Sequence, residues 1–351
     1  MPYNKALRAY KGPISPPVGF SWTPSFTIYE SRPGVFSTNI VERSLRPSTT
    51  AIVYVDVATG SDANTGLVKT LPKKSIWSAI NRSQNDLIYV KTGVYTQNFS
   101  WFALTPLQDC VIVGVDNFDD LNPAPVTTTT NVGNINGKLS VNKVLQVENF
   151  IFLNGFGRCF LMQNGSANFI NCEFQTSQTL EAFGLASTTA GINHTVQFIR
   201  CKCVNGYNDG FCLTTIAAGS TCKWLELNCI STLNGKAAGT HQGSTTHKVA
   251  GNGAISVIRI NGVYYNNYGP QNIADVGGVE SWNLGVTSHT INGSASSTGF
   301  YCGDAGTMWL HSCQPYATVD LQTDAAGGTI KTYNTKYKTS SGAGTITTYT
   351  P

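Results

Sequence analysis

Five residues in the second half of the chain carry groups that could act on a substrate. Asp209, Asp275 and Asp304 have carboxylates that can transfer protons or hold a cation, and His241 and His247 can act as neutral bases. The two histidines share the segment HQGSTTH, whose spacing of six residues is not typical of a metal site. We treat all five as candidate catalytic residues, with plain exposure as the alternative for the histidines. We predict no metal and no other cofactor.

These residues fall in or near three polar loops, residues 204–211, 231–254 and 264–275. Loops carry most function in folds whose strands are committed to a core. The same region holds tyrosines, whose faces stack well on sugar rings, although tyrosine is also common on β-sheets. The candidate substrate-binding residues are Tyr207, Tyr264, Tyr265 and Tyr268.

A short segment with a polar centre and alternating apolar neighbours recurs along the chain. The central residues form a column with successive spacings of 22, 29, 28, 33, 22, 29 and 22 residues. A basic unit with additions of variable length predicts a solenoid, in which strands are constant and loops vary. The column consists of Asn149, Asn171, Arg200, Asn228, Asn261, Asn283, Ser312 and Asn334.

The residues on both sides of the column also repeat. Those that precede it are Ile170, Ile199, Leu227, Ile260 and Trp282. Those that follow it are Cys172, Cys201, Cys229, Leu284 and Cys313. Stacked coils place such residues in ladders with a spacing of about 4.8 Å. We therefore predict that the ten cysteines are buried, reduced thiols that pack as small apolar side chains.

The front of the chain contains YVDVATGSDANTG (54–66), LPKKSIWSAIN (71–81) and NDLIYVKTGVYTQNF (85–99), which predict a strand, a short helix and a strand pair. With the column, this pattern resembles the pectate-lyase-like right-handed parallel β-helix family. The resemblance implies an all-β fold, a single parallel β-helix with a short capping helix, and stacked asparagines at a tight turn. It also implies a substrate cleft between the loops and a strand of the coil.

The predicted repeat places two of the candidate acids at equivalent positions on adjacent coils. Asp275 lies eight residues before Asn283, and Asp304 lies eight residues before Ser312. Stacking on adjacent coils would bring the two carboxylates to about 5 Å, which raises one pKa or allows a shared cation. That distance also matches the carboxylate separation of retaining glycosidases, about 5–5.5 Å.

The chain divides into three parts. Residues 1–48 are rich in proline and aromatic residues and predict an extended arm that anchors the chain to a particle or another subunit. A disordered tail, or a strap along the coil, is the alternative. Residues 49–340 form the predicted β-helix, and residues 341–351 a polar tail or strand that could pair with a neighbouring subunit.

Composition limits the partners. The net charge of +4 and the lack of basic runs argue against nucleic acid. No stretch approaches the roughly 20 apolar residues of a membrane helix. The first residues lack the features of a secretory signal, so we expect synthesis in a reducing cytoplasm.

The segment NGVYYNNYGPQNIADVGGVESWNLGV (261–286) resembles β-helix proteins of bacteriophages, including tailspikes. That resemblance implies a homotrimeric virion protein that recognises, and in some members depolymerises, a bacterial surface polysaccharide. One alternative is a structural or decoration component of the virion without enzymatic activity. The other is a bacterial polysaccharide lyase or hydrolase.

Overall fold

The fold was analysed in a computed structural model. The structure describes residues 8–10, 25–32, 35–41, 51–80, 86–97, 110–130, 136–138, 144–154, 157–175, 180–186, 189–235, 242–247, 253–265, 267–268, 271–289 and 298–349. All structural statements below refer to these residues.

The described elements are almost entirely β-strands, with one short helix. The first half of the chain contains β1 (Arg8–Tyr10), β2 (Ser25–Arg32), β3 (Val35–Val41), β4 (Ala51–Val55), α1 (Ile76–Ile80), β5 (Asp86–Lys91), β6 (Val94–Gln97), β7 (Cys110–Val115), β8 (Val126–Thr130), β9 (Asn136–Lys138), β10 (Val144–Glu148), β11 (Phe150–Asn154), β12 (Phe160–Asn164), β13 (Ser166–Ile170), β14 (Glu173–Gln175) and β15 (Phe183–Ala186).

The second half continues in the same manner. It contains β16 (Asn193–Ile199), β17 (Lys202–Val204), β18 (Phe211–Thr215), β19 (Thr221–Leu227), β20 (Ile230–Thr232), β21 (Gln242–His247), β22 (Ile255–Ile260), β23 (Val263–Tyr265), β24 (Gln271–Val276), β25 (Glu280–Leu284), β26 (Thr287–His289), β27 (Thr298–Cys302), β28 (Thr307–His311), β29 (Gln314–Tyr316), β30 (Val319–Thr323), β31 (Thr329–Tyr333), β32 (Ser340–Ser341) and β33 (Thr345–Tyr349).

The strands from β4 onward form three sheets whose neighbours run parallel. The first sheet has the order β33-β31-β28-β25-β22-β19-β16-β13-β10-β7-β5-β4. The second has the order β29-β26-β23-β20-β17-β14-β11-β8-β6, and the third β32-β30-β27-β24-β21-β18-β15-β12-β9. From β7 to β30, each turn of the chain adds one strand to each sheet. For example, β19, β20 and β21 belong to the three sheets in order, and the next strand, β22, pairs with β19. The predicted parallel β-helix is therefore confirmed.

The predicted column lies at the turn between the first and second sheets. Seven of its eight residues have positive φ, between 49° for Asn334 and 62° for Asn149. Asparagine tolerates this left-handed conformation better than most residues do. The side chains also bond along the column: Asn171 donates to Asn149 over 3.1 Å, and Arg200 donates from Nε to Asn171 over 2.7 Å. These residues are structural.

One member of the predicted column is wrong. Asn283 lies inside β25, where it pairs with Arg259, and Gly285 takes the turn position with a φ of 62°. A Cβ atom on Gly285 would lie 2.7 Å from Oδ1 of Asn261, so the close packing of the column also favours glycine there. The flanking ladders therefore contain Leu284 in place of Trp282, and Val286 in place of Leu284.

The interior of the early coils is filled with aromatic rings. Phe152 stacks on Phe174 with centroids 5.2 Å apart, and Phe183 meets Phe198 edge to face at 4.8 Å. Such pairs add to the stabilisation from apolar burial. The fully buried rings are Phe150, Phe152, Phe160, Phe169, Phe174, Phe183, Phe198, Phe211 and Trp224.

The cysteines behave as predicted. All ten are free and buried. Burial raises the pKa of the Cys313 thiol to about 12, so this thiol stays neutral and packs as an apolar group. The residues that precede the turn column point the opposite way, to the outer face of the first sheet. There they form a second buried apolar cluster that includes Ile199, Leu227 and Ile260.

The ends of the chain differ from the prediction in detail. Helix α1 is present but covers only five residues, with Ile76, Ala79 and Ile80 buried against the coil. Strands β1, β2 and β3 form an antiparallel sheet within the predicted arm, a feature that its sequence did not reveal. At the other end, β33 pairs in parallel with β31, so the solenoid continues beyond residue 340.

The described residues include no helix that is long and apolar enough to span a membrane.

Candidate functional site

Two predicted site residues lie inside the coil instead of on a loop. Asp275 is in β24 and Tyr264 is in β23, and both are fully buried. Strand β24 begins at Gln271, so the predicted loop 264–275 is reduced to the turn between two strands. An alternating strand sends every second residue inward, and both residues fall on inward positions.

Asp275 belongs to a buried charge network that centres on Arg259. The Arg259 guanidinium bonds both carboxylate oxygens of Asp275 over 2.9 Å and lies 3.4 Å from Oε1 of Glu226. Glu226 also accepts bonds from Trp224 Nε1 at 2.7 Å and from Tyr264 Oη at 2.5 Å. Each charge in this dry interior is thus paired and hydrogen-bonded, which is the condition for tolerating buried charges.

The network controls the protonation of its members. Burial alone lowers the pKa of Arg259, but the Asp275 and Glu226 carboxylates outweigh it and raise that pKa above its ordinary value. Burial and the Glu226 carboxylate raise the pKa of Tyr264 well above its usual range. Arg259 therefore stays charged and Tyr264 stays neutral, and both hold the network together.

The predicted stacking of Asp275 on Asp304 is wrong. The residue that pairs with Asp275 on the next coil is Cys302, and Asp304 lies two residues later on an exposed turn with a φ of 50°. The two carboxylates separate because the turn column passes through Gly285 and not Asn283, which shifts the phase of one coil. The backbone N–H of Asp304 donates to Asp324 over 2.8 Å.

The histidines are only partly covered by the structure. His241 lies outside the described residues. His247 is the last residue of β21, paired with Val276, so the predicted loop 231–254 contains a strand of the third sheet. The position of the His247 side chain lies outside what the structure describes.

Asp209 stands in a ladder that the sequence analysis overlooked. Arg158, Glu181 and Asp209 each lie two residues before a phenylalanine that begins a strand of the third sheet, in the triplets RCF, EAF and DGF. Those phenylalanines pair in register, so the three charged residues stack on consecutive coils. The recurrence of these triplets is the pattern from which the sequence could have predicted the ladder.

The two carboxylates in this ladder are close together. A carboxylate oxygen of Glu181, one of Asp209 and the Cys212 sulfur all lie within 4.8 Å of one another. Arg158 Nε lies 2.5 Å from Glu181 Oε2, and Cys212 lies 3.5 Å from Asp209 Oδ2. Only 5% of Glu181 and 6% of Asp209 is exposed, so access is narrow. We call Glu181 and Asp209 the acid pair.

The acid pair has two chemical options. Its separation is near the value of about 5–5.5 Å found in retaining glycosidases, in which one carboxylate is the nucleophile and the other the acid/base. The same oxygens and the Cys212 sulfur could hold a cation. However, the Glu181 carboxylate already forms an ion pair with Arg158. Burial, together with the Asp209 and Glu181 carboxylates, raises the pKa of the Cys212 thiol well above its ordinary value. The group fits proton transfer better than metal binding.

The remaining tyrosines lie at the corner between the second and third sheets. Tyr207 is 41% exposed and Tyr268 is 56% exposed. The Gly235 N–H bonds the Gly206 carbonyl, and the Tyr268 N–H bonds the Asn234 carbonyl. These bonds place Tyr207 and Tyr268 at equivalent positions on two coils that are separated by one coil. Gly235 has the equivalent position on the coil between them.

Tyr265 begins an outward ladder on the neighbouring coils. It pairs with His289, which pairs with Tyr316, at the end of each second-sheet strand. The rings of His289 and Tyr316 meet edge to face at 5.7 Å, and Tyr316 is 52% exposed. Each ladder residue follows its turn residue by four positions, and Lys338 follows Asn334 by the same count. We define the corner surface as Tyr207, Tyr265, Tyr268, His289 and Tyr316.

A cleft of about 790 Å³ lies at the end of the corner surface. Its lining includes His289, Tyr316, Lys336, Tyr337 and Lys338. The second sheet ends at β29, and residues 336–338 of the next coil line the cleft beside that strand. A concave site with aromatic walls and a few polar groups is typical of ligand binding.

The buried network makes a stability prediction. Replacing Arg259 with methionine removes the cation between two buried carboxylates, and we expect the free energy of unfolding to fall by about 3–5 kcal/mol. Chemical denaturation measures the change. The control is Lys223→Met in β19, an outward lysine on the same sheet, which we expect to change stability by less than about 0.5 kcal/mol. Equal losses in both variants would contradict the role of the network.

Known proteins similar to this chain are found among solved structures. No protein-family model and no curated protein matches the chain. Among solved structures, the chain is similar to pectate lyase Pel9A, with 12% identity and a TM-score of 0.42 over 86% of this chain and 78% of that one. A rhamnogalacturonan lyase shows 14% identity and a TM-score of 0.40, over 80% and 72%.

A GH136 lacto-N-biosidase from Eubacterium ramulus shows 9% identity and a TM-score of 0.39, over 85% of this chain and 68% of that one. Likenesses at this level of identity concern the fold alone. The parallel order of the three sheets identifies the architecture independently of them. The chain has the parallel β-helix fold that its sequence predicts.

Proposed function

We propose that this protein binds a polysaccharide along the corner surface. The observation that carries the proposal is the outward ladder Tyr265, His289 and Tyr316, which leads into the cleft beside it. The flat faces and edges of such rings contact the C–H groups of sugars. Polar neighbours in the cleft can bond hydroxyl groups, as in other small-molecule sites.

The solenoid suits a chain-like ligand. Neighbouring coils repeat at about 4.8 Å, so equivalent side chains recur along the axis at a constant interval. A polymer of sugar rings that lies along the axis meets several such side chains at once. Tyr207 and Tyr268 extend the contact toward the earlier coils, beside the acid pair.

Removing exposed rings from the corner surface is expected to weaken binding. The double variant Tyr268→Ala/Tyr316→Ala loses two ring contacts, and we expect the Kd for host envelope polysaccharide to rise about tenfold or more. Affinity electrophoresis or calorimetry measures this change. The matched control is Tyr349→Ala, a tyrosine that is 41% exposed on the outer face of the first sheet. Unchanged binding in the double variant would remove the corner surface from the proposal.

A second function, cleavage of the bound polysaccharide, is favoured by the acid pair. In this proposal Glu181, paired with Arg158, attacks the anomeric carbon, while Asp209 protonates the departing glycosidic oxygen. Water then attacks the glycosyl–Glu181 ester, giving its proton to Asp209 and releasing the sugar. The reaction class is therefore retaining hydrolysis, with a lyase as the alternative.

The acid pair is tested by substitution. Incubation with host polysaccharide is expected to produce new reducing ends, and Glu181→Gln or Asp209→Asn is expected to slow their appearance by about 100-fold or more. Polysaccharide binding should persist in both variants. Asp304→Asn, an exposed carboxylate on a turn, is the control and should retain activity. Products that carry an unsaturated sugar, in addition to a reducing end, would indicate a lyase.

We further propose a biological setting, a tailspike-like virion protein that recognises bacterial surface polysaccharide. Its support is the sequence resemblance of residues 261–286, and the same resemblance favours a homotrimer. In this setting residues 1–48 attach the coil to other virion proteins. The described part of that segment contains a small antiparallel sheet, which could serve as the attachment module.

Deletion of residues 1–48 tests this setting. The shortened chain is expected to keep its thermal stability and glycan binding but to be lost from assembled particles, as measured by immunoblot of purified virions. A shortened chain that assembles normally would contradict the anchoring role. If the full chain neither binds nor cleaves any envelope glycan yet is present in virions, a structural or decoration component would be the better account.

A further inference from the structure

We infer that the cleft beside Tyr316 binds an acidic sugar, through its carboxylate, sulfate or phosphate group. The inference rests on the proposed function, because it names the chemical class of the polysaccharide. It is carried by two lysines, Lys336 and Lys338, that line the cleft together with the rings of His289 and Tyr316.

The positions of the two lysines follow from the phase of the coil. Lys336 and Lys338 lie two and four residues after the turn residue Asn334. On the previous coil the same positions are Gln314 and Tyr316, which alternate outward from β29. Lys338 therefore continues the ladder of Tyr316, and Lys336 continues the ladder of Gln314.

The residue between the lysines fixes this segment to the coil. Tyr337 is partly buried against the hydrophobic core, and its hydroxyl lies 3.1 Å from Thr348 Oγ1. Anchoring of Tyr337 leaves the flanking lysines on the cleft side, where both are exposed. The segment that carries the two lysines is thus held in place by Tyr337.

The nearby carboxylate does not neutralise the lysine side chains. Asp320 is 3% exposed, and its oxygens accept bonds from the backbone N–H groups of Ala317, Lys338 and Thr339 over 3.2, 2.5 and 3.3 Å. Within the described part of the chain, neither Lys336 nor Lys338 has a carboxylate within ion-pair distance. Both ammonium groups remain available to a ligand.

The rings and the ammonium groups together define the ligand. Tyr316 and His289 offer ring surfaces for the C–H groups of a sugar, and the two ammonium groups offer charge for an anionic substituent on it. A neutral sugar would use only the rings. A phosphate backbone with bases could also use both, but the chain carries a net charge of only +4 and no further basic patch at this site. An acidic polysaccharide fits the observations better.

The test compares matched glycans and matched variants. Binding is measured for alginate, its uncharged propylene glycol ester, dextran, dextran sulfate and single-stranded DNA. We expect alginate or dextran sulfate to bind at least about tenfold more tightly than its neutral counterpart, and the preference to fall as salt rises from roughly 0.05 M to about 0.5 M. Preference for alginate or for dextran sulfate distinguishes a carboxylate from a sulfate group.

The variant Lys336→Gln/Lys338→Gln should lose this preference while keeping the weak binding of neutral glycans. The control Lys69→Gln/Lys74→Gln removes the same charge at the opposite end of the coil and should keep the preference. Equal binding of neutral and acidic glycans would overturn the inference and leave the proposed function standing. Absence of binding to any glycan, envelope polysaccharide included, would overturn both. Binding of single-stranded DNA as tight as that of alginate would replace the glycan with nucleic acid.

Discussion

The parallel hydrogen bonds between successive coils are the interaction on which the rest of this structure depends. They hold each strand in a fixed register on the strand of the previous coil, at a spacing of about 4.8 Å. The register is maintained by the turn between the first and second sheets, where residues with positive φ stack. Once this register is set, residues at equivalent positions of successive coils stack in a column. The columns then decide which side chains are buried and which meet a ligand.

The columns that point inward change character along the axis. The early coils hold phenylalanine rings, the middle coils hold the Arg259 network, and the last coils return to apolar residues such as Leu310 and Ile330. A buried ion pair contributes little stability relative to apolar packing, but loss of one partner is costly. The network joins two consecutive coils, because Glu226 comes from β19 of one coil and Arg259 and Asp275 come from β22 and β24 of the next. Correct stacking of these coils is required to satisfy all of its charges.

The columns that point outward at the corner between the second and third sheets also change along the axis. Toward the N-terminal side stands the acid pair with Arg158. Next come the exposed tyrosines, then the ladder of Tyr265, His289 and Tyr316, and finally Lys336 and Lys338. Proton-transfer groups, ring-stacking groups and cations thus follow one another along a single edge. A polymer that lies on that edge would meet the rings and the cations and pass beside the buried acid pair, which is why we propose recognition and cleavage on one surface.

The sequence alone was sufficient for the parallel β-helix, for seven of the eight turn residues and for the buried thiols, because these depend on a local pattern that repeats. It also contained the signals RCF, EAF and DGF for the acid pair, which become meaningful only when the coils are aligned. Only the tertiary structure decided the direction in which each side chain points. One misplaced turn residue, Asn283 for Gly285, shifted a coil by two residues and aligned Asp275 with Asp304 in place of Cys302. The assignment of residues 264–275 to a loop turned Asp275, which is buried in β24, into an apparent surface acid. In a strand a shift of one residue exchanges inside and outside, so the site depends on a register that the repeat pattern specifies only to within a residue or two.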